Sequence, residues 1–195
     1  FVPSRGLGDV YKRQGMALLT CEKFGFEFED MVNSCKSLKP VPGRLEYVGK
    51  TKKGALVYID FAHTPDALKH LLETLRELTK GELVLVFGAG GERDKDKRKP
   101  MGAIAYKYCD LIYVTDDNPR YEDAKAIREQ IIDSCPIAIE IEDRAEAITT
   151  AIQLARLDDV VIIAGKGHEQ VQIVRDNYFP FSDFEQASVA IELME

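Results

Sequence analysis

The sequence is short of several things. Its four cysteines, Cys21, Cys35, Cys109 and Cys135, include no CxxC pair. They give neither a zinc signature nor a disulfide framework, and read as reduced core thiols. Positive charge is in deficit, with a net charge of -7. Non-specific nucleic-acid binding needs a basic face, so that class is disfavoured, although a local Arg/Lys cluster can still serve a small anion. No apolar run approaches the ~20 residues that span a bilayer. No signal peptide, internal repeat or low-complexity tract is visible. The expected setting is cytoplasmic, with neither nucleic acid nor membrane as a partner.

What is there is ordinary for a globular chain: 195 residues, 45% hydrophobic and 30% charged. A domain takes roughly 100–150 residues, so one good core plus a remnant is expected. Residues 1–14 lack clear periodicity, and Asp9–Gln14 resembles the translation of a sequencing-adapter end. That segment is expected to be non-native, with the natural protein starting further upstream. Residues 15–40 read as a helix followed by a short amphipathic piece. Lys39-Pro40-Val41-Pro42-Gly43 is linker chemistry, and the domain boundary is expected there.

Beyond it, strands and helices alternate. Arg44–Gly49 and Ala55–Asp60 predict a hairpin. Thr64-Pro65 opens a helix with a stripe of Leu68, Leu71, Leu72, Leu75 and Leu78. Leu83–Phe87, Leu111–Thr115, Ile137–Ile141 and Val160–Ala164 are predicted strands, and Leu83–Phe87 is apolar enough to be covered on both faces. Helices are predicted from Pro100 to Tyr108, Ala124 to Asp133 and Ala145 to Leu157. Val171–Val174 and Tyr178–Phe181 flank Asp176-Asn177 as a terminal hairpin, and Ser182 to Glu185 is a capping box. The fold class is α/β: a Rossmann-like open, mostly parallel sheet with helices on both faces and hairpins at both ends.

In such sheets ligands bind outside the carboxyl ends of the strands. Four polar loops follow the strands: Phe61–Asp66, Gly88–Arg98, Asp116–Arg120 and Gly165–Glu169. Gly49-Lys50-Thr51 is not a P-loop, because Arg44 stands where the motif needs glycine and the segment joins two strands. Gly88-Ala89-Gly90 fails as a dinucleotide fingerprint, because Arg93 takes the third glycine position. Arg93, Lys95, Lys97 and Arg98 suit a phosphate or carboxylate, or form a solvated charge run. Asn118 and Arg120 can grip a carboxylate, or form a type I turn with an exposed Arg. Lys166 could meet an anion and Glu169 an ammonium group. Glu169 and His168 could equally be incidental. His63 reads as a helix-entry residue bonded to local backbone, and His70 as helix surface.

Five segments in order carry a resemblance over about residues 15–195. They are Val41–Glu46, Asp60–Asp66, Gly90–Lys95, Asp117–Arg120 and Gly165–Glu169, and together they resemble the Mur ligase family, in its diaminopimelate-adding branch. The resemblance implies residues 15–40 as the tail of a central ATPase domain and 41–195 as the C-terminal, amino-acid-binding domain. It implies an ATP-dependent, peptide-bond-forming ligase of peptidoglycan biosynthesis, working through an acyl phosphate. Arg93, Asp117, Asn118, Arg120, Gly165 and Glu169 would bind meso-diaminopimelate. Arg44, His63, Asp66 and Lys95 would face the nucleotide or the closing interface. ATP and Mg2+ would be held mainly by other domains, as would the UDP-N-acetylmuramoyl dipeptide. The chain itself would hold no metal, no complete catalytic set and no ligase activity alone, and would be monomeric. Phe61 departs from the family's usual Tyr. Arg120 favours diaminopimelate over lysine. A lysine-adding ligase, a folylpolyglutamate-type ligase and a non-catalytic binding domain are the alternatives.

Overall fold

The computed structural model describes residues 8–35 and 41–193, in two compact units divided between Val41 and Pro42. The first unit holds α1 (Gly8–Lys23) and α2 (Phe28–Cys35). Helix α1 begins seven residues before Gly15, so helix runs through part of the segment read as lacking periodicity. Residues 1–7, and Lys39 and Pro40 of the linker, lie outside the described residues.

The second unit is a six-stranded sheet. Its strands are β1 (Glu46–Lys50), β2 (Leu56–Asp60), β3 (Leu83–Phe87), β4 (Leu111–Val114), β5 (Ile139–Glu140) and β6 (Val160–Ala164). Their spatial order is β1-β2-β6-β3-β4-β5, and only the β1–β2 pair is antiparallel. Strands β3 and β6 lie at the centre, and every residue of both is buried. Side chains alternate between faces, so each central strand feeds two cores. Leu83, Leu85 and Phe87 pack with α3 (Pro65–Leu78), α4 (Arg98–Tyr108) and α5 (Ala124–Ile132). Val84 and Val86 pack on the other face with α6 (Arg144–Leu154) and α7 (Asp183–Glu192). Each such aliphatic side chain contributes about 1.5–3 kcal/mol relative to exposure.

Local chemistry accounts for the helix starts. The Thr64 hydroxyl accepts from the Ala67 amide and Pro65 supplies the first helical residue of α3. Asp123, Asp143 and Ser182 cap α5, α6 and α7 in the same way. Some boundaries differ from expectation. Leu78 closes α3 and is 70% exposed, so the buried stripe ends at Leu75. Helix α4 begins at Arg98, two residues before Pro100. Helix α6 stops at Leu154, and β5 is only two residues long, both exposed at the sheet edge. The terminal hairpin, β7 (Val171–Val174) and β8 (Asn177–Pro180), turns at Arg175-Asp176 and forms its own two-stranded sheet.

The register aligns the strand ends. Asp60 pairs with Ala164, Ala164 with Phe87, and Phe87 with Val114. Chains leaving β2, β3 and β4 turn to the α3–α5 face, while the chain leaving β6 goes on to α7 on the opposite face. Diverging connections open crevices on either side of β6, where a ligand site is expected in an open α/β sheet.

Candidate functional site

A cavity of about 410 Å³ lies over those strand ends. The four post-strand loops build it. Arg93, Asp117, Asn118, Arg120, Gly165 and Glu169 all line it, and so does His63. Glycine makes the close approaches possible. A Cβ on Gly88 would lie 2.2 Å from the Thr115 carbonyl oxygen. Gly165 has φ of 113°, and a Cβ there would lie 3.0 Å from Oδ2 of Asp117.

The Asp117–Arg120 loop is tied down by the hairpin. Arg120 takes a left-handed conformation at φ of 53°. Its amide donates to the Ile173 carbonyl at 3.1 Å, and its carbonyl accepts from the Arg175 amide at 2.8 Å. Gln172 Nε2 donates to the Asp117 carbonyl at 3.0 Å. The loop is therefore more than a free turn. Arg120 Nη1 donates to the Gly91 carbonyl at 2.9 Å, which aims the guanidinium along the cavity wall. Arg93 forms no ion pair among the described residues, and its side chain faces the cavity from an exposed loop.

Asn118 is a junction. Its Oδ1 accepts from Lys166 Nζ at 2.7 Å and from the Ile173 amide at 3.0 Å. Its Nδ2 donates to Glu169 Oε2 at 2.8 Å. One Nδ2 hydrogen remains for a ligand. The Asp117 carboxylate is nearly buried and has no hydrogen-bond partner among the described residues. Lys97 also lines the cavity, donating to the His63 carbonyl at 2.9 Å. Burial pushes its pKa below the usual lysine range, against the pull of Asp117 and Asp94.

Two residues read as ligand cations are structural. Lys166 has no exposed surface, so it meets Asn118 rather than a free anion. Arg98 is likewise sealed, bonded to Gln130 at 2.9 Å and paired with Glu122 at 3.0 Å. Beneath the cavity, Arg144 and Asp183 form a fully buried bidentate pair at 2.7 and 2.8 Å. Arg144 Nη2 also donates to the Ala164 carbonyl at 3.0 Å, fixing the end of β6 just before Gly165. Burial opposes the Arg144 charge, but Asp183 outweighs it and the pKa rises.

Of the four remaining expected residues, His63 alone lines the cavity. The Arg44 guanidinium sits 4.8 Å from the Phe61 ring centroid. The Phe61 ring also meets His63 at 4.5 Å and His168 at 5.3 Å. Asp66 lies in the first turn of α3, outside the cavity lining. Lys95 pairs with Glu122 at 3.2 Å and does not line the cavity either. Lys97, one of the cations expected to suit an anion, does line the cavity, whereas sequence reasoning missed Phe61 as an aromatic platform and Asp94 as a wall residue. Their position after β2 and β3 was the available signal. Among the described residues, no group of three or more His, Cys, Asp or Glu side chains could hold a metal ion.

The cavity thus presents three cations, Arg93, Lys97 and Arg120, against three acids, Asp94, Asp117 and Glu169. An anion alone would meet the acids, and a cation alone the bases. A ligand carrying both carboxylate and ammonium groups is complementary.

The family described as Mur ligase, glutamate ligase domain, matches residues 43–167. UDP-N-acetylmuramoyl-L-alanyl-D-glutamate–2,6-diaminopimelate ligase of Agrobacterium fabrum is 46% identical over 181 residues, 93% of this chain and 36% of that protein. The ligase of the same name in Zymomonas mobilis is 47% identical over 189 residues, 95% of this chain and 38% of that protein. The chain therefore spans little more than a third of these relatives. A solved structure of a ligase of that name superposes with TM-score 0.73 at 35% identity, over 91% of this chain and 37% of that one. A Mycobacterium tuberculosis folylpolyglutamate synthase shares the fold alone, with TM-score 0.59 at 21% identity over 87% of this chain and 36% of that one.

Proposed function

The chain belongs to the Mur ligase family, and from that premise we propose that it is the amino-acid-binding part of an ATP-dependent ligase. The whole enzyme adds meso-diaminopimelate to UDP-N-acetylmuramoyl-L-alanyl-D-glutamate in the cytoplasm. The observation carrying this reading is the cavity's charge pattern, with Arg93, Arg120, Asp117 and Glu169 around one 410 Å³ space. Meso-diaminopimelate has two carboxylates and two ammonium groups. Arg120 and Arg93 hold carboxylate, while Glu169 and Asp117 receive ammonium. Asn118 and Gly165 shape the wall between them. Arg44, His63, Asp66 and Lys95 face the nucleotide or the closing interface. Of these, His63 and Arg44 have the best support, since His63 meets the Phe61 ring edge-on and Arg44 lies over its face, and Phe61 lines the cavity.

In the full reaction, ATP phosphorylates the D-glutamate side-chain carboxylate. The diaminopimelate amine then attacks the acyl phosphate. A C–N bond forms, the C–O bond to phosphate breaks, and the amine gives up a proton as phosphate leaves. The described residues offer no Mg2+ cluster, so no step through the metal is assigned to them. ATP, Mg2+ and the UDP-sugar dipeptide fall to other parts of the enzyme. This chain works as a monomer that binds and orients the amine, and without a P-loop it does not turn over ATP by itself.

Isothermal titration of this chain with meso-diaminopimelate and with L-lysine tests the reading. Meso-diaminopimelate is expected to bind at least about tenfold tighter, because lysine leaves one carboxylate grip unfilled. Arg120→Ala should erase most of that preference. Equal affinity for both ligands, unchanged in Arg120→Ala, rules against diaminopimelate.

A further inference from the structure

Lys166 is used by none of the roles assigned so far, yet it is built into the site. Two left-handed glycines flank it, Gly165 at φ of 113° and Gly167 at 54°, and its side chain is fully buried. A buried ammonium group is costly unless it is paired and hydrogen-bonded. Here Nζ donates to Asn118 Oδ1 at 2.7 Å and lies 3.5 Å from Glu169 Oε2. Burial still holds its pKa down. Asp117, Glu169 and Asp183 support the charge and Arg144 opposes it.

The two ends of an Asn side chain have nearly the same shape, so its partners decide which way it faces. At Asn118 the oxygen meets two donors, the Lys166 ammonium and the Ile173 amide. The flipped amide would set NH2 against both donors and oxygen against the Glu169 carboxylate. With Oδ1 held inward, Nδ2 takes Glu169 Oε2 at 2.8 Å. Oε1 has no hydrogen-bond partner among the described residues, and Glu169 lines the cavity.

We propose that Lys166 is a positioning residue. Its buried ammonium fixes the Asn118 amide and, through it, turns the Glu169 carboxylate to receive a ligand ammonium group. The inference rests on the reading of this cavity as a diaminopimelate site. The test pairs variants with ligands. Meso-diaminopimelate and pimelate, which keeps both carboxylates and has no amine, are titrated into the unaltered chain, Lys166→Met and Lys166→Gln. The Asn118 side-chain amide is followed by NMR. Lys166→Met should weaken meso-diaminopimelate about tenfold and leave pimelate unchanged, a coupling typical of groups in one network. The Asn118 amide protons should lose their exchange protection. Lys166→Gln keeps a donor for Oδ1 and should recover part of both effects. An equal loss for the two ligands overturns the proposal, and so does an unchanged Asn118 signature. Should Lys166→Met fail to fold, Lys166→Gln against the unaltered chain carries the same comparison. If the unaltered chain binds neither ligand, the diaminopimelate reading fails, and the Asn118 signature alone decides the role of Lys166.

Discussion

Arginine meets carboxylate at two levels of this molecule, with opposite outcomes. Under the sheet ends, Arg144 and Asp183 face each other with no exposed surface, and their hydrogen bonds close on each other and on the Ala164 carbonyl. A short distance up the same loops, Arg93, Arg120, Asp117 and Glu169 line an open cavity. Among the described residues, the Asp117 carboxylate has no hydrogen-bond partner and Arg93 has no ion pair. The first group answers its own charge and holds the frame. The second, in which Glu169 alone has a cationic partner among the described residues, leaves charge only partly answered around a space, which costs stability unless a ligand supplies the complement. The same residue types thus close on the frame or line an open cavity according to whether their partners come from the chain.

Breaking the closed pair should have the largest effect. Asp183→Ala leaves Arg144 buried and uncompensated, and should lower stability by about 3–5 kcal/mol in urea denaturation. A loss below about 1 kcal/mol would mean that the pair is not structural. Arg120→Ala should behave in the reverse way. Its calorimetric affinity for meso-diaminopimelate should fall by about 1.5–3 kcal/mol, the range for hydrogen bonds to charged groups. Its urea midpoint should barely move, as for most substitutions outside a packed core. Gly165→Ala sits between the two regions. Its φ of 113° and the 3.0 Å approach to Asp117 should cost about 1–2 kcal/mol of stability and also weaken binding.

The smallest effect concerns Lys97, a cavity cation with incomplete compensation. Its folded-state pKa is lowered from 10.5. Between that depressed value and 10.5 the unfolded chain binds more protons than the folded one, so this group makes stability rise with pH there. Comparing denaturation of the unaltered chain and Lys97→Met across that alkaline window should show the rise only in the former. A parallel pH dependence in both would assign the effect to other groups.

Much of the cavity lining was legible in the sequence, whereas much of its support was not. Continuous apolar runs marked β3 and β6, and turn chemistry marked the loops after them, because both are local signals. That placed all six expected ligand residues at one sheet edge, where the fold brings them together. The Arg144–Asp183 pair spans 39 positions, and each residue opens a helix, where a charge ordinarily reads as surface. Arg98 and Lys166 were read as ligand cations for the same reason: local sequence reports charge, not burial. Leu78 was read as core because periodicity does not say where a helix leaves the sheet. The hairpin was expected at its position, but its grip on Arg120 depends on a parallel bridge between Arg120 and Val174, far apart in the chain.

The central claim is that the open charges, rather than the closed pair, meet the ligand. Amide chemical-shift mapping of this chain during titration with meso-diaminopimelate tests it most directly. Saturable shifts should gather at Gly90, Arg120, Gly165 and Glu169, with Ala147, Ala151, Ala187 and Ala190 of the α6–α7 core unmoved. Shifts confined to other surfaces, or none at ligand concentrations in the millimolar range, would contradict it.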